Sequence, residues 1–142
     1  MMYYHHALVL AHDEQDGAIL LAAAVELAAD SDMKITLGHI QSDWRLMNYV
    51  SDSLMDDREA QDVIAAKNML SRVAGAVAYP VDTLELVSMR RFDELRALVA
   101  DKSIDLVITG HHNRFMGVLT SGSMDYINHL SVDILIKHLK ME

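Results

Sequence analysis

The sequence predicts an α/β domain whose parallel five-stranded sheet is covered by helices on both faces. Three observations support this prediction: five short β-type runs, helical periodicity between them, and nearly continuous apolarity in the first and fourth runs. Strands that are apolar on both faces are typical of buried parallel sheets. The order βαβαβαβαβ then implies right-handed crossovers and a doubly wound sandwich.

The predicted strands share a high content of branched apolar residues and cover residues 7–11, 34–40, 83–87, 105–109 and 132–136. Apolar residues at helical spacing, or a glycine-serine start, predict helices over residues 14–30, 58–78, 92–99 and 121–129. In the first helix, Leu20, Ala24 and Leu27 are expected to share the buried face. Pro80, the only proline, is predicted to end the second helix. Residues 41–57 lack clean periodicity and are expected to form a long connection or a loose helix start.

Composition excludes several classes of function. The chain has 142 residues, 12 Lys+Arg against 21 Asp+Glu, and a formal net charge of −9. This excess of acids disfavours nucleic acids and anionic membranes as partners, because both would be repelled. The absence of cysteine excludes disulfides, thiolate metal sites and a cysteine nucleophile. No signal peptide or membrane-spanning run is visible, so we expect a single domain over residues 1–142, located in the cytoplasm.

The carboxyl ends of the strands are the predicted place for a ligand, because ligands of such sheets bind where strand order reverses. The segment from Gly110 to Ser123 follows a buried strand, contains three glycines and opens a helix. Its backbone N–H groups could surround an anion. The alternative is an ordinary strand-to-helix connection that uses glycines for its turns.

Motifs near the C-terminus resemble those of the universal stress protein family. They are Asp105-Leu106-Val107 followed by Gly110-His111-His112, then Ile127-Asn128, then Ser131 to Ile136. The resemblance extends over essentially the whole chain, includes Tyr79-Pro80, and is strongest with the A-type (UspA-like) branch. It implies the family's adenine nucleotide alpha hydrolase-like fold and a cytoplasmic stress-response role.

The family's ATP-binding members carry the pattern Gly-x₂-Gly-x₉-Gly-Ser/Thr and an aspartate that ends the first strand. This chain has Gly110, then Asn113 in place of the second glycine, then only eight residues before Gly122-Ser123. His12 occupies the aspartate position, and Asp13 follows it. The resemblance therefore implies absent or weakened nucleotide binding. ATP or AMP is the candidate ligand, and its candidate residues are His12, Asp13, Ile40, Gly110, His112, Asn113, Gly122 and Ser123.

The same region contains arginine, histidine and hydroxyl side chains that could support other chemistry. Arg90, Arg91 and Arg114 could neutralise a phosphate, or they could be solvated surface residues. Zinc binding by His12, His111 and His112 is disfavoured because adjacent strand residues point to opposite faces, so no metal site is predicted. A serine-histidine nucleophile lacks a visible orienting acid, so no catalytic residue is predicted. The hydroxyls of Thr120, Ser121 and Ser123 suit helix capping or phosphorylation. A different class of protein, the flavodoxin-like electron carriers, has the same predicted architecture.

The last predicted strand should lie at a sheet edge, where its backbone groups would be unpaired. The resemblance implies that two copies pair through these strands. Val132, Ile134, Leu135 and Ile136 are the candidate interface residues. The expected function is a dimeric, non-enzymatic stress-response factor that acts through unidentified protein partners. The alternative is an ATP- or AMP-binding stress sensor or weak ATPase that uses the loop from Gly110 to Ser123.

Overall fold

The computed structural model describes residues 4–29, 31–41, 52–87, 91–112 and 130–139. The strands are β1 (His6–Leu10), β2 (Lys34–Gln41), β3 (Val81–Val87), β4 (Leu106–His112) and β5 (Asp133–Leu139). The helices between them are α1 (Glu14–Ala28), α2 (Asp52–Gly75) and α3 (Arg91–Asp101). The predicted fourth helix, residues 121–129, lies outside the described residues.

The five strands form one parallel sheet in the order β3-β2-β1-β4-β5. Two cores cover it. The first contains Leu20 and Leu21 of α1 with Leu70 and Val73 of α2. The second, on the opposite face, is centred on Leu95 and other residues of α3. The prediction of a parallel α/β sheet covered on both faces is confirmed.

Alternation along the central strands explains how one sheet serves two cores. In β1, Ala7 and Val9 belong to the first core, whereas Leu8 and Leu10 belong to the second. All residues of β1 are buried, as the continuous apolar run predicted. Full burial of an aliphatic side chain stabilises a fold by about 1.5–3 kcal/mol, so the central strands anchor the sheet.

Several predicted boundaries were wrong. Helix α2 begins at Asp52 rather than at residue 58, so the end of the 41–57 segment is a helix start, one of its two expected states. Residues 52–57 carry no clean apolar periodicity, which is why the predicted start lies too late in the chain. The same helix ends at Gly75, through tightened turns at Ala76 and Val77, well before Pro80.

One predicted core position was also wrong. Leu27 is 48% exposed, and the buried face of α1 instead runs through Leu20, Leu21, Ala24 and Ala28. The residues of α1 that pack in the core between the sheet and α2 do not include Leu27. Among the described helices, none combines the length and apolarity needed to cross a bilayer.

Candidate functional site

At the carboxyl edge of the sheet the central strand β1 stops before its two neighbours, and the crevice is the space beyond its end, between β2 and β4. The pairing of β1 with β2 ends at Leu10 opposite Gly38, and its pairing with β4 ends at Val9 opposite Ile108. Beyond these positions β2 continues to Gln41 and β4 continues to His112. At about 3.3 Å per residue, the neighbours extend roughly 10 Å past β1. The strand order reverses between β1 and β4, where the sequence predicted a ligand.

His12 and Asp13 leave the sheet at the base of this crevice, and both are exposed. Asp13 is the N-cap of α1: its Oδ1 accepts the backbone N–H of Asp16 at 2.8 Å. Glu14 and Asp16 lie in the first helical turn, and Asp16 is only 6% exposed. The N-terminus of α1 is therefore already capped and surrounded by carboxylates.

Three further candidate residues lie on the strands that flank the crevice. Ile40 is in β2 opposite Leu86, Gly110 is in β4 opposite Lys137, and His112 ends β4 opposite Leu139. His111 and His112 were predicted at a strand end and loop, but both belong to β4. The strand is longer than predicted because β5 pairs with it up to His112.

The other candidates cannot be placed on this edge. Asn113, Gly122 and Ser123 lie outside the described residues, as do Thr120 and Ser121. Of the arginines, Arg90 and Arg114 also lie outside them, while Arg91 is the first residue of α3 rather than part of a loop. The structure therefore places His12, Asp13, Ile40, Gly110 and His112 at or just after the carboxyl ends of three adjacent strands.

A histidine-glutamate pair joins β2 and β3 near the same edge. His39 and Glu85 lie opposite each other in the ladder, and His39 Nδ1–H donates to Glu85 Oε2 at 2.9 Å and Oε1 at 3.0 Å. The side chain of Glu85 is 1% exposed and that of His39 is 18% exposed. Burial raises the pKa of Glu85, and this effect exceeds the opposing effects of His39 and Lys67. The sequence does not indicate this partner of His39.

The histidines at the start of β1 have hydrogen-bond partners near the amino ends of the strands, opposite the crevice. His6 is 5% exposed; its Nδ1–H donates to the Lys102 carbonyl at 2.9 Å and its Nε2 accepts from the Thr36 hydroxyl at 2.8 Å. This tautomer follows from the carbonyl, which can only accept. His5 Nδ1–H donates to Asp105 Oδ2 at 3.1 Å.

Asp105 is the centre of this amino-edge cluster, since its carboxylate also accepts the backbone N–H groups of His5 and His6. Burial would raise the pKa of Asp105, but these donors together hold it below the ordinary value. Close by, Tyr4 donates its hydroxyl to Oδ2 of Asp133, the first residue of β5, at 2.7 Å. This hydrogen bond raises the pKa of Tyr4. These contacts hold the amino-terminal segment against β4 and β5. Within the described ranges, no three histidine or acidic side chains lie close enough together to bind a metal ion.

The last strand lies at an edge of the sheet, as predicted. Val132 and Ile134 pack against the second core and Leu135 against the first. Ile136 is partly buried and lies opposite Thr109. Three of the four candidate interface residues therefore pack within their own subunit, and Ile136 is the best placed to contact another chain.

Comparison with known proteins identifies the family. A sequence profile described as "Universal stress protein family" matches residues 3–138. The chain belongs to the universal stress protein family. It is 26% identical over 140 residues to the universal stress protein A homolog of Haemophilus influenzae, covering 98% of this chain and 99% of the relative. It is 27% identical over 136 residues to universal stress protein C of Salmonella typhimurium, covering 95% and 96%. These relatives confirm the UspA-like resemblance.

Solved structures show the same fold. The universal stress protein from Archaeoglobus fulgidus superposes with a TM-score of 0.69 at 17% identity, covering 95% of this chain and 94% of that one. Its complex with dAMP gives a TM-score of 0.65, covering 96% and 98% at 17% identity. An Arabidopsis thaliana family member with AMP bound gives 0.54 at 14% identity, covering 94% and 91%. The fold of this universal stress protein is thus that of its family.

Proposed function

We propose that this universal stress protein is a dimeric, non-enzymatic stress-response factor of the cytoplasm that acts through protein partners and binds nucleotides weakly or not at all. The observation that carries the proposal is the acidic, capped N-terminus of α1 at the base of the crevice. Asp13 accepts the N–H of Asp16, and the first turn adds the carboxylate of Asp16 and that of Glu14, which pairs with Arg72 at 2.6 Å. A phosphate needs free N–H groups and a positive end of the helix dipole, and here it would meet negative charge.

The sequence of the following loop supports the same proposal. Asn113 carries a side chain where the family's nucleotide-binding pattern has a glycine, and one residue fewer separates it from Gly122. A side chain at that position restricts how closely the backbone can approach a phosphate.

Calorimetric titration with AMP and ATP tests the proposal. We expect dissociation constants near or above about 1 mM, a binding free energy weaker than about −4 kcal/mol. The variant Asp13→Asn keeps an efficient N-cap and removes one negative charge, so any residual affinity should rise about threefold, the effect of one unit charge roughly 6 Å away in water. Glu26→Gln is the matched control, because it removes the same charge near the other end of α1. Micromolar affinity of the unaltered protein for either nucleotide contradicts the proposal.

A second candidate function is a nucleotide-binding sensor or weak ATPase that uses the segment from Gly110 to Ser123. The crevice above β1 favours it, as do relatives whose structures contain AMP or dAMP. Incubation with ATP distinguishes the candidates. ADP production proportional to protein concentration, and lost in a Gly122→Leu variant, supports the sensor; its absence together with weak binding supports the stress-response factor.

The dimer proposed as part of this function uses the edge strand β5. An exposed parallel edge presents unpaired backbone groups, and pairing with a second copy would satisfy them. Sedimentation at micromolar concentration should give twice the monomer mass of 15.9 kDa. A monomer mass throughout the micromolar range contradicts this arrangement.

A further inference from the structure

Gly110 lies under the side chain of Leu139, the last residue of β5. A Cβ built on Gly110 would lie 2.2 Å from Leu139 Cδ1 and 3.0 Å from Leu139 Cγ. Contacts this short do not occur between carbon atoms, so a residue with a side chain at position 110 would displace the leucine. The absence of a side chain at position 110 thus leaves the space that Leu139 fills, independently of any ligand.

Leu139 has little room to move away. It is 6% exposed and belongs to the core between the sheet and helices α1 and α2. Leu20 of α1 approaches the same point, with its Cδ1 at 3.6 Å from the built Cβ. Because protein cores are close-packed, the Leu139 side chain packs directly against the backbone of Gly110.

Their position in the sheet gives this contact a consequence for the candidate site. Beyond Ile108, β4 no longer pairs with β1, and from Thr109 to His112 its ladder partner is β5. The part of β4 that borders the crevice is therefore held from the edge strand. Of the described side chains, Leu139 comes nearest to a Cβ built on Gly110.

We propose that Leu139 is a positioning residue for the carboxyl end of β4: from the edge strand it sets the backbone at Gly110, and so the crevice wall that continues to His112. The consequence for ligands rests on the proposed function, since it concerns whatever nucleotide affinity that crevice retains. The consequence for the backbone stands without it. A change in the position of β5, such as pairing with a second copy would cause, would therefore move the backbone of β4 at Gly110 through this contact.

Hydrogen exchange and a double-mutant cycle test the proposal. In Leu139→Ala, amide exchange at positions 110–112 should rise at least tenfold, while exchange in β1 at Leu8–Leu10 changes much less. Leu139→Met should keep most of the protection, because methionine refills the space. Leu37→Ala, which truncates a fully buried leucine of the same core on β2, is the matched control and should show no selective effect at 110–112.

The cycle compares Gly110→Ala, Leu139→Ala and the double variant. Each single variant should lower the thermal midpoint, Leu139→Ala by roughly 10 °C. The decrease in the thermal midpoint of the double variant should be smaller than the sum of the two single decreases, because the new methyl group enters the cavity left by the leucine. Additive losses, or equal deprotection of β1 and positions 110–112, overturn the proposal.

Titration with AMP separates this proposal from the proposed function. If the unaltered protein has measurable affinity, Leu139→Ala should weaken it at least fivefold and Leu139→Met should restore it. Unchanged affinity in Leu139→Ala contradicts the positioning role even if exchange rises. Micromolar binding by the unaltered protein contradicts the proposed function alone, and the exchange and cycle results decide the role of Leu139 in either case.

Discussion

Glu85 combines almost complete burial with a hydrogen bond from His39, and the two effects oppose each other. Burial disfavours the carboxylate, while the imidazole N–H stabilises it. Because burial is the larger effect, the pKa of Glu85 is raised above its ordinary value of 4.5. The folded protein therefore binds a proton at Glu85 at pH values where the unfolded chain has released it.

This difference makes stability depend on pH in a defined direction. Stability contributed by Glu85 is fully present below about pH 4.5, and it falls as pH rises through the raised pKa. In Glu85→Gln, an amide oxygen still accepts from His39 but does not titrate. Urea unfolding from pH 4.5 to pH 7 should therefore show the wild-type protein losing stability relative to Glu85→Gln. Glu26→Gln, at an exposed position, should show no such trend, and a gain of relative stability with rising pH would contradict the assignment.

Asp105 gives the opposite dependence. Its lowered pKa means that stability is present above the ordinary value of 3.8 and is lost as pH falls through the lowered value. Asp105→Asn replaces one acceptor oxygen by a donor group facing His5, so we expect a loss of about 1 kcal/mol at pH 7, limited by the solvent exposure of the carboxylate. Urea titrations should show that this loss shrinks below pH 4. A loss that stays constant into acid would mean that packing, not charge, holds this cluster together.

At the scale of elements, the sequence predicted the type and order of every described strand and helix, because buried parallel strands and amphipathic helices have distinct periodicities. It placed the start of α2 at residue 58 instead of Asp52, because residues 52–57 lack a periodic apolar pattern, and it misplaced Leu27. It also could not reveal the partners of His39, His5 and Gly110. Those contacts join residues far apart in sequence and depend on strand register, which local patterns do not specify.

The start of α1 is an element boundary that the sequence located to the residue, and its cap can be tested. Asp13→Ala removes the acceptor for the N–H of Asp16 and should lower the free energy of unfolding by about 1 kcal/mol. Asp13→Asn keeps an oxygen acceptor and should cost at most a few tenths of that. Denaturant unfolding of both variants measures the difference. Equal losses would mean that the charge of Asp13, rather than its hydrogen bond, stabilises the helix.

At the scale of the molecule, a net charge of −9 opposes association of two copies unless a specific surface compensates for it. The sheet offers two edges, β3 and β5. On β3, Asp82 is exposed and forms an ion pair with Lys34 at 3.4 Å, so this edge carries charges that discourage pairing. On β5, Ile136 is partly buried and apolar. Because β5 also carries the exposed charges Asp133 and Lys137, charge alone does not separate the two edges.

Lysine placed on each edge in turn discriminates between them. Ile136→Lys introduces a charge where the proposed dimer would bury an apolar side chain, and the dissociation constant should rise at least a hundredfold, since each 1.4 kcal/mol changes it tenfold. Thr83→Lys makes the same change of charge at an exposed position on β3 and should leave the dimer intact. Sedimentation across a concentration series measures both constants, and circular dichroism checks that the Ile136→Lys subunit remains folded. Dissociation caused by Thr83→Lys but not by Ile136→Lys would assign the interface to β3, because a lysine can disrupt only the edge at which two copies meet.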